Sequence, residues 1–350
     1  MTKVKQKSIY NFAYSVGFVR TLETLLLNEN EVERMVLAKD ADDAFKILNE
    51  FDYADNKSGV DNPADFQKVI NEGIVEIKEM LENVTPNKRI LNILWHDYDF
   101  HNIKTMLKAK LSGKTFEEIE YLLSDLGAID TEKMRQFIFD ESTTVIWELD
   151  KETEEYLKSR IIKIQKKFEK DKNPQIIDLY MDQKLMRIKR GIADYSQNEF
   201  LINYVRKLID LNNIRLFFRM KSQEKPQELF ELALIWKGHI PYQKFIHAFK
   251  EGKLEEFVEA MSATPYSDII SQGFKHYQEE KTFIYLEKEI ENYLINYIKS
   301  AKLIPFGPEP LIAYFLAKKN NALIIRMVLI NKLNKIEPEE IRKRLRTLYS

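Results

Sequence analysis

The densest run of ligand-type side chains is HDYDFH at residues 96–101. On a helix Asp97 and His101 stand one turn apart, a spacing that metal sites use, with His96 and Asp99 beside them. Such a site needs a third or fourth protein ligand, and His239, His247 and His276 are scattered at no matching spacing. The positions corresponding to Asp97 and His101 in a second copy of the surrounding segment are Leu208 and Asn212, so the segment as such requires no ligands there. Surface or capping roles are therefore predicted for the cluster, and no metal. Other chemistry is as thin. Cysteine is absent, which removes disulfides, thiolate metal sites and cysteine nucleophiles together. No GxxxxGK[ST], GxGxxG, GxSxG or HExxH motif occurs, and ten glycines leave no loop rich enough to cradle a phosphate. The expectation is a protein with no catalytic residues and no cofactor of its own.

The residues that do recur in a pattern are cations. NIKTMLKAK at 102–110, NIRLFFRMK at 213–221 and IIRMVLINK at 324–332 align at Ile103, Ile214 and Ile325, a period of 111 residues (214 − 103 and 325 − 214). Each isoleucine is followed by a cation (Lys104, Arg215, Arg326) and, at +7, by a lysine (Lys110, Lys221, Lys332). On an α-helix +7 returns to within about 20° of the start, so the lysines share the apolar face of the isoleucines. Two roles are open to them. The stems can pack on the core while each ammonium reaches the last carbonyls of its helix; alternatively, three copies arranged in a ring aim three cations at a shared centre. All six cations are candidates for contacts to a partner.

These side chains must be positioned by helices. Apolar residues fall at helical spacing along most of the chain, and ten prolines with ten glycines among 350 residues leave long uninterrupted stretches. Residues 9–27 read as one long helix with a stripe through Tyr10, Tyr14, Phe18, Leu22, Leu25 and Leu26. FDYADNKSGVDNP at 51–63 reads as a loop. Asp99, Asp210 and Asn321 lie four residues before the aligned isoleucines and are good N-cap types, so they are expected to cap helices. Helix starts are expected at Thr115, Pro226 and Glu337, with Glu117, Glu228 and Glu339 in the first turn. Gly127 and Gly238, followed by Ile129 and Ile240, also match at the same period. ESTTVIWEL at 141–149 is the only β-branched run, and it reads as helix because its repeat partners do. The predicted fold is all-α: an N-terminal extension, 1–17, and three similar helical modules, 18–128, 129–239 and 240–350.

Lys and Arg total 54 and Asp and Glu 55, so no global positive field draws in nucleic acid. No run approaches the ~18–20 apolar residues of a membrane span, and direct membrane insertion is not expected. Lys3, Lys5 and Lys7 precede an apolar segment, but Asn11 and Arg20 interrupt it and no small-residue cleavage site follows, which argues against a signal peptide.

GPEPLIAYFLAKKN at 307–320 with the trailing IIRMVLINKLNKIEPEEIRKRL, the opening YSVGFVRTLETLLL from Tyr14, and DYDFHNIKTMLKAKLSG together resemble the C subunit of V/A-type ATPases, the family of the eukaryotic vacuolar d subunit. The resemblance spans essentially the whole chain. It implies a non-catalytic central-stalk subunit in which three helical modules form a pseudo-threefold funnel. It further implies that the funnel receives the axle formed by the D and F subunits and sits on the membrane rotor ring at the cytoplasmic face, with the stator membrane subunit as a further neighbour. The residues alone leave one other reading, a helical-repeat scaffold for cytosolic proteins.

Overall fold

The computed structural model describes residues 11–50, 62, 65–171 and 173–350. Residues 1–10, with Lys3, Lys5 and Lys7, and the loop read at 51–63 apart from Asn62 lie outside these. Sixteen α-helices account for the described architecture: α1 Ala13–Glu23, α2 Glu29–Leu37, α3 Ala41–Glu50, α4 Phe66–Val84, α5 Lys88–Leu111, α6 Thr131–Ile138, α7 Lys151–Asp171, α8 Gln175–Ser196, α9 Glu199–Ser222, α10 Gln227–Ala233, α11 Tyr242–Glu251, α12 Leu254–Ala260, α13 Ser267–Glu280, α14 Ile284–Lys299, α15 Glu309–Leu333 and α16 Pro338–Arg344. No strand occurs among the described residues, and the fold is all-α.

The chain forms two compact units. The first joins residues 1–88 to 268–350; the second is 89–267. In the first, α15 is the axis: it packs on α1, α2, α3, α4 and α14, and 18 of its 25 residues are buried. A helix with apolar residues on every side is stable only when surrounded, which is the position it takes. Its start is held open at Gly307, whose φ is +130° and where a Cβ would collide with the Glu309 carboxylate. Arg20 on α1 ties down the preceding turn, donating from one Nη to the carbonyls of Ala301, Lys302 and Ile304 and from the other to Glu23.

In the second unit α9 packs on α8, α10 and α11, while α7 lies on α8. Its centre is aromatic. Phe217 stacks on Phe257 at 3.7 Å between ring centroids and Phe230 on Phe249 at 4.1 Å, all four rings being buried. Stacks of this kind add about 1 kcal/mol each beyond their burial.

The three long helices end at Leu111, Ser222 and Leu333, spaced at the 111-residue period, and they end identically. Gly113, Glu224 and Lys335 take left-handed φ values of 74°, 51° and 55°. Behind them the N–H groups of Lys114, Lys225 and Ile336 each donate 2.9 Å to the carbonyls of Ala109, Met220 and Asn331. This six-to-one bond closes a Schellman cap. Only the first copy uses the residue that adopts the conformation freely; the other two accept a cost of roughly 1 kcal/mol each.

Four expectations change. The first helix stops at Glu23 rather than running to 27, because Asn28 caps α2 through Glu31 and the intervening residues form a turn. Thr115 starts no α-helix; its segment makes only a 3₁₀ turn at Glu120–Leu122, whereas α10 and α16 are α-helical. The run 141–149 is irregular chain: Glu141 and Glu148 have positive φ, and Trp147 is pinned by Glu154 and packed edge-on against Phe137. β-Branched residues lose side-chain freedom in a helix, and here one buried tryptophan supplies enough anchoring for the chain to stay extended. Lastly, Asp99, Asp210 and Asn321 cap nothing of their own helices, since all three are buried in mid-helix.

Candidate functional site

The mid-helix acids are latches. Asp99 accepts 2.9 Å from the N–H of Ile129, and Asp210 accepts 2.9 and 3.1 Å from those of His239 and Ile240. Those N–H groups stand immediately before α6 and α11, so a carboxylate in one long helix fixes the approach to an element about 30 residues on. Gly127 and Gly238 are glycine because a Cβ at either would collide with the same carboxylate. Burial pushes the Asp210 carboxyl above its usual range; the two N–H donors and the Tyr266 hydroxyl, at 3.0 Å, pull it back. Three residues further along, Asn102 and Asn213 clip the chain with a two-way amide pair. Asn102 donates 2.7 Å to the Ser124 carbonyl and accepts 2.9 Å from the Ser124 N–H; Asn213 makes the same two bonds, at the same lengths, with Ile235. The third copy lacks both devices: Asn321 meets no hydrogen-bond partner among the described residues, and Ile324 replaces the clip asparagine.

The +7 lysines reach helix-end carbonyls, but not those of their own helices. Lys110 donates to Ile138 O at the end of α6, Lys221 to Phe249 O near the end of α11, 2.6 Å away, and Lys332 to Ala38 O just past α2, 2.7 Å away. The first two acceptors lie 28 residues on, whereas the third comes from the opposite end of the chain. Lys110 adds Glu141 at 2.8 Å, and Lys221 sits 4.3 Å from the Phe249 ring centre. A cation at a helix C-terminus opposes the helix dipole and satisfies an orphan carbonyl. Burial lowers the pKa of Lys221 and of Lys332, with nearby carboxylates countering it. Replacing any of the three by methionine is expected to cost about 1–2 kcal/mol, the worth of a charge-assisted bond to a partly buried carbonyl. Urea unfolding of the three variants measures it, and a wild-type midpoint would show that the ties are dispensable.

The cations that follow the isoleucines are half-buried and each has a neighbour. Lys104 pairs with Asp182 on α8 at 2.8 Å, one turn from the Lys108–Asp178 pair. Arg326 donates to Gln67 Oε1 on α4 at 3.1 Å, and Gln67 and Asp178 are themselves one period apart. Arg215 reaches Asn212 at 3.5 Å. Lys104 and Arg326 thus brace helix to helix, whereas the Arg215 contact lies within α9.

The HDYDFH cluster is divided among separate partners. His96 and Asp99 form a buried pair at 2.7 Å, Asp97 binds Lys189 at 2.5 Å, and His101 meets Leu122 O at 2.9 Å. Among the described residues no three such side chains converge on a point where a metal could sit. Two arrangements escaped sequence reasoning. The Asp–Gly latch left a signal, the glycines matching at the period, which by itself assigned no role. A cluster of Arg160, Lys184 and Arg187 left none, being assembled from two helices.

The class so defined is an all-α protein whose recurrent polar residues serve to lock helices together. The sequence profile of the ATP synthase (C/AC39) subunit family matches residues 15–344, and the chain belongs to that family. It is similar to the C subunit of the A-type ATP synthase of Methanocaldococcus jannaschii, at 22% identity over 96% of this chain and 86% of that one. It is likewise similar to the C subunit of the V-type sodium ATPase of Enterococcus hirae, at 24% identity over 95% and 97%. The chain is thus a subunit of a V/A-type rotary ATPase. No described helix is long and apolar enough to cross a membrane.

Proposed function

We propose that the chain is a non-catalytic central-stalk subunit, a socket that couples the axle formed by the D and F subunits to the membrane rotor ring during ATP-driven ion transport or ATP synthesis. It works at the cytoplasmic face of the membrane, with the stator membrane subunit as a further neighbour. The observation that carries this reading is the family match along nearly the full chain. The locked helix ends suit the task, because a body that transmits torque must resist twisting, and the ties at the ends of α5, α9 and α15 supply resistance. Three copies of the 111-residue module, 18–128, 129–239 and 240–350 behind the extension 1–17, arranged as a pseudo-threefold funnel, would give the axle its seat. The reach of Lys332 to Ala38 supports that arrangement, since it lets the last copy hold the first.

The purified chain is expected to bind both the isolated axle complex and the membrane ring and to hydrolyse no ATP alone. Lys104→Ala, Arg215→Ala and Arg326→Ala together are expected to weaken one of these associations about tenfold or more, by removing charge from a polar docking surface. Pull-down titration measures it. Binding to neither partner would overturn the function, and unchanged affinity in the triple variant would return the three cations to contacts within the chain alone.

A further inference from the structure

The second unit holds a cleft of about 720 Å³ between α8 and the segment Leu232–Lys237. Lys184, Arg187 and Arg190 line one side and Trp236 the other. Arg160 and Arg187 approach the same Tyr156 ring, at 4.8 and 4.7 Å from its centre. Lys184 lies close enough to both that, after burial, their charges are the next causes lowering its pKa. Among the described residues no carboxylate pairs with Arg160, Lys184 or Arg187, although α8 satisfies its acids elsewhere: Asp178 and Asp182 pair with Lys108 and Lys104. Three cations assembled without counter-charge raise one another's energy and are stabilised by a multivalent anion. Trp236 is 60% exposed while Trp95 and Trp147 are 1% exposed, and it is held flat by stacking on Tyr242 at 5.1 Å and 13°. Of the two carboxylates in the lining, Asp194 is neutralised by Arg190 at 3.4 Å, and Glu231 takes the amide of Gln227 at 2.6 Å.

We infer that this cleft binds a nucleoside polyphosphate, its phosphates on Lys184 and Arg187, backed by the charge of Arg160 just outside the lining, and its base on Trp236. The cleft lies within the size range of small-ligand sites, roughly 300–1,000 Å³. Clustered guanidinium groups match phosphate oxygens in pairs, and an exposed rigid indole offers a stacking face to any base. Glu231 is placed to accept from ribose hydroxyls or an exocyclic amine.

The test is calorimetric titration of the full chain with ATP, ADP, tripolyphosphate and adenosine, alongside tryptophan fluorescence, in which Trp236 is the exposed indole that a bound base can reach. ATP and ADP are expected to bind in the micromolar to low millimolar range and to quench the fluorescence. Arg160→Gln, Lys184→Gln and Arg187→Gln together are expected to weaken ATP binding about 100-fold through loss of charge-assisted bonds. Trp236→Leu, which leaves the cations in place, should remove the quench and weaken ATP about tenfold, as expected for one stacking contact, while leaving tripolyphosphate unaffected. ATP binding undiminished in the triple variant, tripolyphosphate binding as tightly as ATP, or association with anionic lipid vesicles but not with ATP would each overturn the inference.

Discussion

Asp210→Ala is expected to destabilise the second unit by about 4 kcal/mol, and Gly238→Ala by about 3, yet the double variant should lose far less than the sum. The carboxylate of Asp210 holds three donors, the N–H groups of His239 and Ile240 and the hydroxyl of Tyr266. Tyr266 and Ile240 are buried with Asp210, so alanine leaves the Tyr266 hydroxyl and the Ile240 N–H where water does not reach, at about 1–3 kcal/mol apiece, while the exposed His239 costs less. A Cβ at Gly238 instead strikes the carboxylate and must push it or the backbone aside, an overpacking cost of about 1–3 kcal/mol with lost bonds added. With the carboxylate gone, the new methyl has room. The two costs therefore overlap, with a coupling of about 1–3 kcal/mol. All three tryptophans, Trp95, Trp147 and Trp236, belong to this unit, so urea unfolding followed by tryptophan fluorescence reads it directly. Strict additivity would show that the glycine and the acid are neighbours without being a latch.

The stability of the first unit should rise with pH between about 8 and about 10, and Lys318 should be the cause. Lys318 is 4% exposed on α15, and burial lowers its pKa to about 8, with the Glu76 carboxylate opposing the shift. The same repeat position holds His96 in the first copy, which pairs with Asp99 three residues on. In the third copy the position of Asp99 is taken by Asn321, which carries no charge. The unfolded lysine titrates at about 10.4, above the folded one. Between the two values the unfolded chain binds the additional proton, so raising pH favours folding, by about 3 kcal/mol across the window. Below about 8 both forms are charged and the slope vanishes. Lys318→Met should abolish the slope and stabilise the unit at neutral pH, and Asn321→Asp should raise the lysine's pKa and flatten the same window. Circular dichroism of urea unfolding at several pH values provides the measurement. A slope retained in Lys318→Met would assign the titration to another group.

Much of the architecture was legible in the residues themselves. The all-α class follows from helical spacing of apolar side chains, which any backbone segment expresses locally. The 111-residue period carried the end of α5, marked by Gly113, over to α9 and α15, where Glu224 and Lys335 take the same left-handed conformation without a glycine. The candidate site was legible only as a set of residue types. That Lys110, Lys221 and Lys332 serve helix ends was readable from their face and position; which ends they serve was not, because the acceptors are Ile138, Phe249 and Ala38. Asp99 and Asp210 look like N-caps in one dimension, since short acids favour that position. They became buried latches because the glycine segment about 30 residues on folds back against mid-helix and brings N–H groups that need an acceptor. The run 141–149 likewise left the helical pattern of its relatives once Trp147 found its pocket. The sequence by itself determined helices, period and family, all carried by local spacing. Tertiary structure alone decided what each polar residue holds, because a hydrogen bond inside a core is made to whatever backbone the fold delivers there.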